Sequence, residues 1–472
     1  MGGSDQDTFF DMKLDNNNDV IVVGWSSSMG DIVINGTVII PGGGPDFTSR
    51  GIIAKFSGAD GSLTWVKHWY AAEFTTANPV RVAVDDTGNI YAGGYFGGPF
   101  QIDGINFTHN FPFGDNLFII KMDTDGTIIW NNQFDGQQQG TYGFIRSMAW
   151  STNGLYVSFD YGASYLLDGV AIPYSGTGYL MCTAKLNLGT GAVEDFFTYG
   201  SESSSQSQTA SAIDSEGNLI IGGYFTEGTA MDIQGTILNG IGSSDGFIAK
   251  FNPDLDLIWA KEMGGDYQDR VFNIFINPEN KIFVGGGFDS FTNFSYDGMD
   301  VINSQSPNSL SMFQLHLDSD GSFNQVMALH GYDQNTIMSN NGTVVLENGD
   351  VYSVGRFTNQ AQFIENGPIE DATDHTRGFF MKWDNAFTLG VNDIILNENA
   401  SVYPNPFNDI ININTHHNVD VNVVIYDTTG KIVYACPKLV NNTIELNALQ
   451  SGVYFLKLNG KDFSKTVKLV RK

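Results

Sequence analysis

Cysteine is scarce in this sequence: Cys182 and Cys436 are the only two among 472 residues. They match no metal-ligand spacing, so we expect two free thiols without a structural or catalytic role. Long apolar runs are absent as well, since none approaches the ~18 residues that a membrane-spanning helix needs. These absences exclude a disulfide scaffold, a cysteine-based zinc site and a helical transmembrane segment.

Basic residues are also few. Lys and Arg number 23 against 52 Asp and Glu, which gives a formal net charge of −29 and a pI near 4.3. This field repels phosphate backbones and anionic lipids, and no Lys/Arg cluster overrides it locally, so we exclude nucleic acid as a partner. The first residues, MGGSDQDTFF, lack the basic and apolar segments of a signal peptide. Either the protein is cytosolic or its signal peptide has been removed.

Motifs for metal binding or catalysis are few. The histidines are dispersed, and no H-E-x-x-H or G-x-S-x-G motif is present. The segments 123–126 and 318–321 resemble the start of a calcium loop, but the twelfth loop position counted from Asp123 is Phe134 instead of a bidentate Glu. We interpret these segments as hydrogen-bonded turns and predict no cofactor and no metal, with calcium as the weaker alternative.

Glycine, phenylalanine and tyrosine are abundant instead, with 55, 35 and 19 residues, while only 16% of all residues are charged. This composition is typical of many short strands joined by tight turns. The length allows one large and one smaller domain, each with its own core. We therefore predict an all-β protein of two domains.

A strand motif exemplified by DGFIAKF, at 245–251, recurs six times. Its basic position falls at Lys55, Lys121, Lys185, Lys250, His316 and Lys382, which are 64 to 66 residues apart. A hairpin dipeptide precedes each copy: Asn35-Gly36, Asp103-Gly104, Asp168-Gly169, Gln234-Gly235, Asp297-Gly298 and Asn366-Gly367. Such dipeptides favour type I′ turns, which need positive φ at both central residues.

Each repeat contains the pattern of four strands, and a repeated four-stranded unit is typical of a β-propeller, because neighbouring sheets cover one another's faces. We predict a six-bladed β-propeller of four-stranded blades over residues 1–390. The Gly-ended strand, the hairpin, the F-I-A-K strand and the D-G-x-L-x-W closure resemble the bacterial propeller repeats called SBBP over roughly residues 2–390. That resemblance implies a fold and says little about activity.

The charge balance changes near the C-terminus, where residues 391–472 hold eight Lys or Arg against seven Asp or Glu. We interpret 391–400 as a linker. The turn YPNPF at 403–407 then leads into alternating strands with Gly and Asn turns, which predict a small Ig-like β-sandwich at 401–472.

Four motifs of this tail resemble the type A C-terminal sorting domain of the type IX secretion system of Bacteroidota. The matching residues are Tyr403, Pro404, Asn405, Pro406, Gly430, Lys431, Gly452, Tyr454 and Lys468. The resemblance implies export across the outer membrane to a secreted or cell-surface location, recognition of the tail by the secretion machinery, and removal of the tail by a sortase-like protease. It also implies a signal peptide that has been removed. An ordinary Ig-like accessory module is the alternative.

Candidate ligand-binding residues come from the register of the innermost strands. Aligning them places Asp11, Arg81, Arg146, Ala210, Asn273 and Gly342 at one position. Asp266, Asp269 and Arg270 lie just before or at the start of one such strand. Converging at the centre of the ring, these side chains would bind an anionic or polyol ligand through charge-assisted hydrogen bonds. The alternative is that they form ion pairs between blades.

Two classes of function follow. The favoured one is a non-catalytic binding or adhesion protein for an extracellular glycan or protein. The other is a polysaccharide-acting enzyme, a hydrolase or lyase, with its site at one mouth of the propeller. An enzyme would bring together paired titratable groups with shifted pKa values. A purely structural role in a surface layer is a third alternative.

Overall fold

The computed structural model consists of β-strands: forty strands and no helix occur in the part of the chain that it describes. That part comprises residues 6–27, 30–34, 37–42, 49–72, 74–109, 111, 114–172, 174, 176, 178–200, 206–226, 230–289, 293–303, 310–329, 337–346, 348–361, 363, 370–383, 400–403, 406–415, 422–428, 431–439, 443–459 and 464–472. The all-β prediction is confirmed. Cys182 and Cys436 are both free thiols, as expected.

The strands follow the sequence repeats. The first three repeats contain β1 (Asp7–Leu14), β2 (Val20–Ser26), β3 (Ile32–Ile34), β4 (Thr37–Ile40), β5 (Arg50–Phe56), β6 (Leu63–Tyr70), β7 (Ala77–Val84), β8 (Ile90–Phe96), β9 (Phe100–Ile102), β10 (Ile105–Phe107), β11 (Asn116–Met122), β12 (Ile128–Gly136), β13 (Gly143–Ser151), β14 (Gly154–Tyr161), β15 (Tyr165–Leu167), β16 (Val170–Ile172), β17 (Leu180–Leu186) and β18 (Val193–Tyr199). The next three contain β19 (Gln206–Ile213), β20 (Leu219–Thr226), β21 (Ala230–Ile233), β22 (Thr236–Asn239), β23 (Ser244–Phe251), β24 (Leu257–Gly264), β25 (Asp269–Ile276), β26 (Ile282–Phe288), β27 (Asn293–Tyr296), β28 (Met299–Asn303), β29 (Ser311–Leu317), β30 (Phe323–Leu329), β31 (Ile337–Val345), β32 (Val351–Ala361) and β33 (Glu370–Trp383).

Each repeat forms one antiparallel sheet with its strands in sequence order. We name the sheets I to VI: β1-β2-β5-β6, β7-β8-β11-β12, β13-β14-β17-β18, β19-β20-β23-β24, β25-β26-β29-β30 and β31-β32-β33. Sheets I to V have the four strands that were predicted, and sheet VI has three within the described residues. A short hairpin between the second and third strands extends the outer strand of the preceding sheet, where β15 pairs with β12 and β27 with β24.

The hairpin dipeptides adopt the predicted conformation. In the four pairs that the structure describes, the first residue has φ between 47° and 50° and the glycine has φ between 77° and 86°. These pairs are Asp103-Gly104, Asp168-Gly169, Gln234-Gly235 and Asp297-Gly298. Asn35-Gly36 and Asn366-Gly367 lie outside the described residues. Positive φ at both positions matches the right-handed twist of the flanking strands, which is why the dipeptide marks the repeat so well.

The repeated lysine joins consecutive sheets. The Lys250 ammonium lies 2.8 Å from Asp214 Oδ2 in its own sheet and donates to the Ser319 carbonyl oxygen of sheet V at 3.0 Å. Lys121 Nζ and Trp130 Nε1 of sheet II both donate to the Leu188 carbonyl oxygen of sheet III at 3.0 Å. The basic residue therefore recurs because it crosses from one sheet to a turn of the next.

The first strands pack in order along the chain. Contacts join β1 to β7, β7 to β13, β13 to β19, β19 to β25 and β25 to β31. The second strand of each sheet also packs against the first strand of the next, as β20 does against β25. Within the described residues, β1 and β31 do not pack against each other in this way.

The C-terminal strands have their own core. They are β34 (Ala400–Tyr403), β35 (Ile410–Thr415), β36 (Asn422–Asp427), β37 (Ile432–Cys436), β38 (Thr443–Glu445), β39 (Gly452–Asn459) and β40 (Ser464–Arg471). They form the sheets β34-β35-β38 and β37-β36-β39-β40, and residues such as Ile413 and Leu456 bury into one shared cluster. Contacts along the chain define two compact units, Met1–Asp300 with Ser304–Thr388 and Leu389–Lys472 with Val301–Asn303.

Candidate ligand-binding site and sorting domain

Every first strand contains a β-bulge, and this bulge corrects the register that we expected for the arginines. The extra residues are Phe10, Val80, Arg146, Thr209, Phe272 and Asn341. Arg146 is therefore the bulged residue of β13, whereas Arg81 directly follows the bulge of β7. The common position predicted for the two arginines is wrong by one residue, because the bulge takes one residue out of the ladder.

The bulge directs Arg146 toward a buried carboxylate. Arg146 Nε donates to Asp160 Oδ2 at 2.5 Å, and Nη2 donates to the Tyr142 hydroxyl at 2.9 Å. The guanidinium also lies over the Phe144 ring, 4.6 Å from its centroid. Ser207 Oγ, from the next sheet, donates to the same Asp160 oxygen at 2.9 Å. This network links sheets III and IV through a charge pair of which only the arginine is partly exposed.

Arg81 lies beside this pair without joining it through a carboxylate. Its Nε donates to the Arg146 carbonyl oxygen at 2.5 Å and its Nη1 to the Val80 carbonyl oxygen at 2.7 Å. Burial lowers the pKa of Arg81, and the charge of Asp11 opposes this decrease. Arg81 thus ties the backbones of sheets II and III together, which favours a structural role.

A third arginine, Arg270, belongs to sheet V. The Arg270 guanidinium lies 4.5 Å from the centroid of the Tyr224 ring, and Nη2 donates to Gln268 Oε1 at 3.1 Å. Burial lowers the pKa of Arg146, whereas the charge of Asp160 raises it, and the net change is upward. Tyr224 contributes to the same increase. Tyr224 therefore contacts Arg270 and interacts electrostatically with Arg146. We call Tyr142, Arg146, Asp160, Tyr224 and Arg270 the Arg–Tyr cluster.

The two predicted aspartates, Asp266 and Asp269, lie where the chain enters β25. Asp269 is fully buried and accepts backbone N–H groups, from Gly265 at 2.7 Å and from Asp289 at 3.2 Å. Burial raises the pKa of Asp289, and the charge of Asp266 adds to the increase. Asp269 therefore holds a turn in place.

Sequence reasoning missed the residues that surround Arg146. Asp160 occupies the position where neighbouring repeats have Trp25, Tyr95 and Tyr224, so one acidic residue among aromatic residues was the available signal. Tyr142 and Tyr179 pack ring to ring at 4.6 Å, and Tyr179 is exposed. Loop tyrosines of this kind have no periodic pattern that would identify them.

Two carboxyl groups near this region have raised pKa values. Burial raises the pKa of Asp160 to about 6 against the opposing charge of Arg146, and burial raises the pKa of Asp115 to about 6 against a hydrogen bond from the Gly143 amide. Neither shift has the other carboxylate among its causes. Asp160 and Asp115 are therefore not coupled to each other.

The raised pKa of Asp115 predicts a pH-dependent stability. A raised pKa in the folded state favours folding below pH ~4, and this contribution is lost as the pH rises through 6. Asp115→Asn removes the cost of a buried charge, so we expect the variant to be more stable than the wild type by about 1–3 kcal/mol at pH 7. The difference should disappear at pH 4. Urea unfolding at both pH values measures it, with the exposed Asp125→Asn as a control for net charge.

The calcium-like turns use their carboxylates internally. Asp123 Oδ1 accepts the Asp125 amide at 3.0 Å and the Thr127 amide at 2.8 Å. Asp318 pairs with Lys281 at 2.5 Å. Across the described part of the chain, no three His, Cys, Asp or Glu side chains group as metal ligands.

In the C-terminal unit, the last strand, β40, is bonded to the segment that follows the YPNP motif. Arg471 Nε donates to the Asn408 carbonyl oxygen at 2.7 Å, and its Nη2 donates to Asp409 Oδ1 at 2.7 Å. The Phe407 amide donates to the Val470 carbonyl oxygen at 2.8 Å. The two ends of the unit therefore hold each other in place.

A family model described as a secretion system C-terminal sorting domain matches residues 401–472. Residues 401–472 are a type IX sorting domain. This domain directs the protein to the cell surface or the extracellular space and implies interaction with the type IX secretion machinery. No helix among the described residues is long and apolar enough to cross a membrane.

The motif residues of the sorting domain have mixed surroundings. The Tyr454 side chain is buried and its hydroxyl donates to the Gln450 carbonyl oxygen at 2.7 Å, while the Lys431 amide donates to Asp427 Oδ1 at 3.1 Å. Pro406, Lys431, Gly452 and Lys468 are exposed, and Tyr403 ends β34. Pro404, Asn405 and Gly430 lie outside the described residues.

Comparisons with other known proteins add little. No curated protein matches this chain. A protein of unknown function from Bacteroides caccae is 10% identical with a TM-score of 0.27, over 61% of this chain and 92% of that one. The polysaccharide lyase Uly1 is 10% identical with a TM-score of 0.29, over 80% of this chain and 57% of that one. At these scores the likenesses support neither a shared overall fold nor a shared activity.

Proposed function

We propose that this protein is an extracellular or cell-surface binding protein, delivered by its sorting domain, that binds an anionic glycan or protein through the Arg–Tyr cluster. The observation that carries the proposal is that each of two arginines lies over an aromatic ring, Arg146 over Phe144 and Arg270 over Tyr224. Asp160 and Tyr142 occupy Nε and Nη2 of Arg146, and within the described residues its Nη1 makes no hydrogen bond. Guanidinium donors beside aromatic rings suit the carboxylate and the apolar face of an acidic sugar.

The remaining parts of the proposal concern architecture and processing. Residues 1–390 are proposed to be a six-bladed β-propeller of SBBP-like repeats, which is the cargo, and 391–400 a linker. The repeated sheets and the ordered packing of their first strands support this arrangement. After export, a sortase-like protease is proposed to act on the sorting domain. A display or adhesion role follows from a rigid scaffold with variable connections between its strands.

A binding measurement tests the ligand. Arg270→Gln removes one charge without breaking the Arg146–Asp160 pair, so we expect it to weaken binding of an alginate oligosaccharide about 10- to 100-fold. Binding of a neutral glucan, measured alongside by calorimetry, should be weak for both proteins. Arg377→Gln, which removes an exposed arginine on β33, is the matched control and should bind alginate like the wild type.

The same experiment separates the alternatives. Equal affinities for Arg270→Gln and the wild type would assign the arginines to structural contacts between sheets. Alginate depolymerisation by the wild type, followed by the appearance of reducing or unsaturated ends, would favour the enzyme. Binding should also weaken with added salt, because charge-assisted contacts at a partly exposed site are screened.

A further inference from the structure

Sheet VI exposes a face that every other sheet buries. Phe380 on β33 is 70% exposed and stacks on Tyr352, with the ring centroids 5.6 Å apart. In each repeat this position lies two residues before the basic position. Its equivalents in sheets I to V are fully buried: Ile53, Ile119, Thr183, Ile248 and Gln314. Phe380, stacked on the partly buried Tyr352, therefore marks a contact surface that no described residue covers.

The buried equivalents show what this face contacts. It meets the first strand of the next sheet, as Gly222 of sheet IV shows: a Cβ atom there would lie 2.9 Å from both Val271 Cγ1 and Ile274 Cδ1 of sheet V. In sheet VI the residue equivalent to Gly222 is Val354, and it is exposed. By analogy with the other sheets, the face of sheet VI is shaped to contact a first strand, on the side of that strand that packs against the preceding sheet. We call this side the rear side.

Sheet I exposes the complementary face. Met12 on β1 is 63% exposed, and Phe9 on the same strand is exposed as well. Relative to the bulge, Phe9 corresponds to Val271 and Met12 to Ile274, the two residues that pack against the preceding sheet. Among the described residues, no preceding sheet therefore covers the apolar rear side of sheet I, and no following sheet covers the forward face of sheet VI.

The lysine at the basic position is also more exposed in sheet VI than in sheet IV. Lys382 Nζ lies 2.8 Å from Asp350 of its own sheet but remains 40% exposed, whereas Lys250 is 7% exposed and reaches the next sheet. Ser319 lies three residues after the basic position of its repeat, His316. The equivalent residue of sheet I is Gly58, three residues after Lys55. A carbonyl acceptor for Lys382 is therefore present on the same sheet whose rear side is uncovered.

We infer that the forward face of sheet VI, formed by Tyr352, Val354 and Phe380, docks on the rear side of sheet I, formed by Phe9 and Met12, within one chain. This contact closes the ring without exchange of a strand, and it rests on the proposed propeller. It repeats an interface that occurs five times between consecutive sheets. Docking within one chain also avoids the entropic cost of bringing two chains together. Lys382 then donates to the Gly58 carbonyl oxygen.

Crosslinking of the full chain tests the contact. Met12→Cys and Phe380→Cys are combined with Cys436→Ser and treated with a short bismaleimide at low protein concentration. We expect a crosslink within the monomer, detected as a mobility shift at monomer mass. Phe380→Cys with Ile258→Cys, an exposed position on the outer strand β24, is the matched control and should not crosslink. A mixture of the two single variants should give no dimer.

Other outcomes overturn the inference. A crosslink only between chains, in the mixture, would mean that the face of sheet VI docks on sheet I of a second copy. A crosslink no stronger than the control would mean that the two faces do not contact each other. A second measurement avoids dependence on the crosslinker: Phe380→Asp should lower the thermal midpoint and increase the hydrodynamic radius, whereas Ile258→Asp should change neither. Equal behaviour of both variants would also overturn the contact. Alginate binding is independent of these readouts, so a failed contact with intact binding leaves the proposed function standing.

Discussion

Deletion of residues 401–472 is expected to abolish release of the protein to the cell surface and medium, with the remaining chain retained in the periplasm. The reason is that the sorting domain contains its own buried cluster and is the part that the family model matches. The measurement is fractionation and immunoblotting of a Bacteroidota strain with an active type IX system, which expresses the chain behind a cleavable export signal. Release of the truncated chain at wild-type levels would contradict the assignment of export to this domain.

Point variants distinguish a folded signal from a linear one. Leu456 is fully buried at the centre of β39, and Ile432 is exposed on β37. Leu456→Asp places a charge in the core and should unfold the sorting domain, since an unpaired buried charge is strongly destabilising. We expect export to fall to the level of the deletion. Ile432→Asp is the matched control and should be exported normally. Normal export of Leu456→Asp would mean that the machinery reads an unfolded segment.

The repeats were predictable because their chemistry is local. Asp103-Gly104 and its equivalents adopt positive φ whatever the surroundings, so the dipeptide alone locates the hairpin. The basic position at Lys250 recurs because one side chain serves both its own sheet and the next. Such patterns reflect contacts within one repeat and contacts between adjacent repeats. Both kinds of contact recur with the same period as the sequence.

The candidate site was less predictable because it depends on an irregularity. A bulge shifts Arg146 by one residue relative to Arg81, and no sequence alignment of the strands reveals an unpaired residue in a ladder. Asp160 became a partner of Arg146 only through that shift. The same limit applied to the terminal sheets: the sequence of sheet VI resembles the others, yet Phe380 is exposed because its surroundings differ.

Lys250→Met is expected to destabilise the first unit by about 3–5 kcal/mol, because it leaves a buried carboxylate without its counter-charge. The Asp214 side chain is 2% exposed, and Lys250 Nζ is its cationic partner at 2.8 Å. Burial raises the pKa of Asp214, but the hydrogen bonds from Lys250 and Asn218 outweigh this effect, so the net shift of the pKa is downward. A lowered pKa stabilises the folded state above the ordinary pKa of aspartate and ceases to do so as the pH falls.

The loss caused by Lys250→Met should therefore be largest near pH 7 and should shrink toward pH 3, where Asp214 is protonated in the unfolded chain. Lys261→Met on β24 is the control, since Lys261 pairs with the half-exposed Asp297 and should give little change. Chemical unfolding of both variants at several pH values measures the difference. Equal losses would mean that burial of the Lys250–Asp214 pair adds nothing, because the two lysines differ chiefly in how deeply their carboxylate partners are buried.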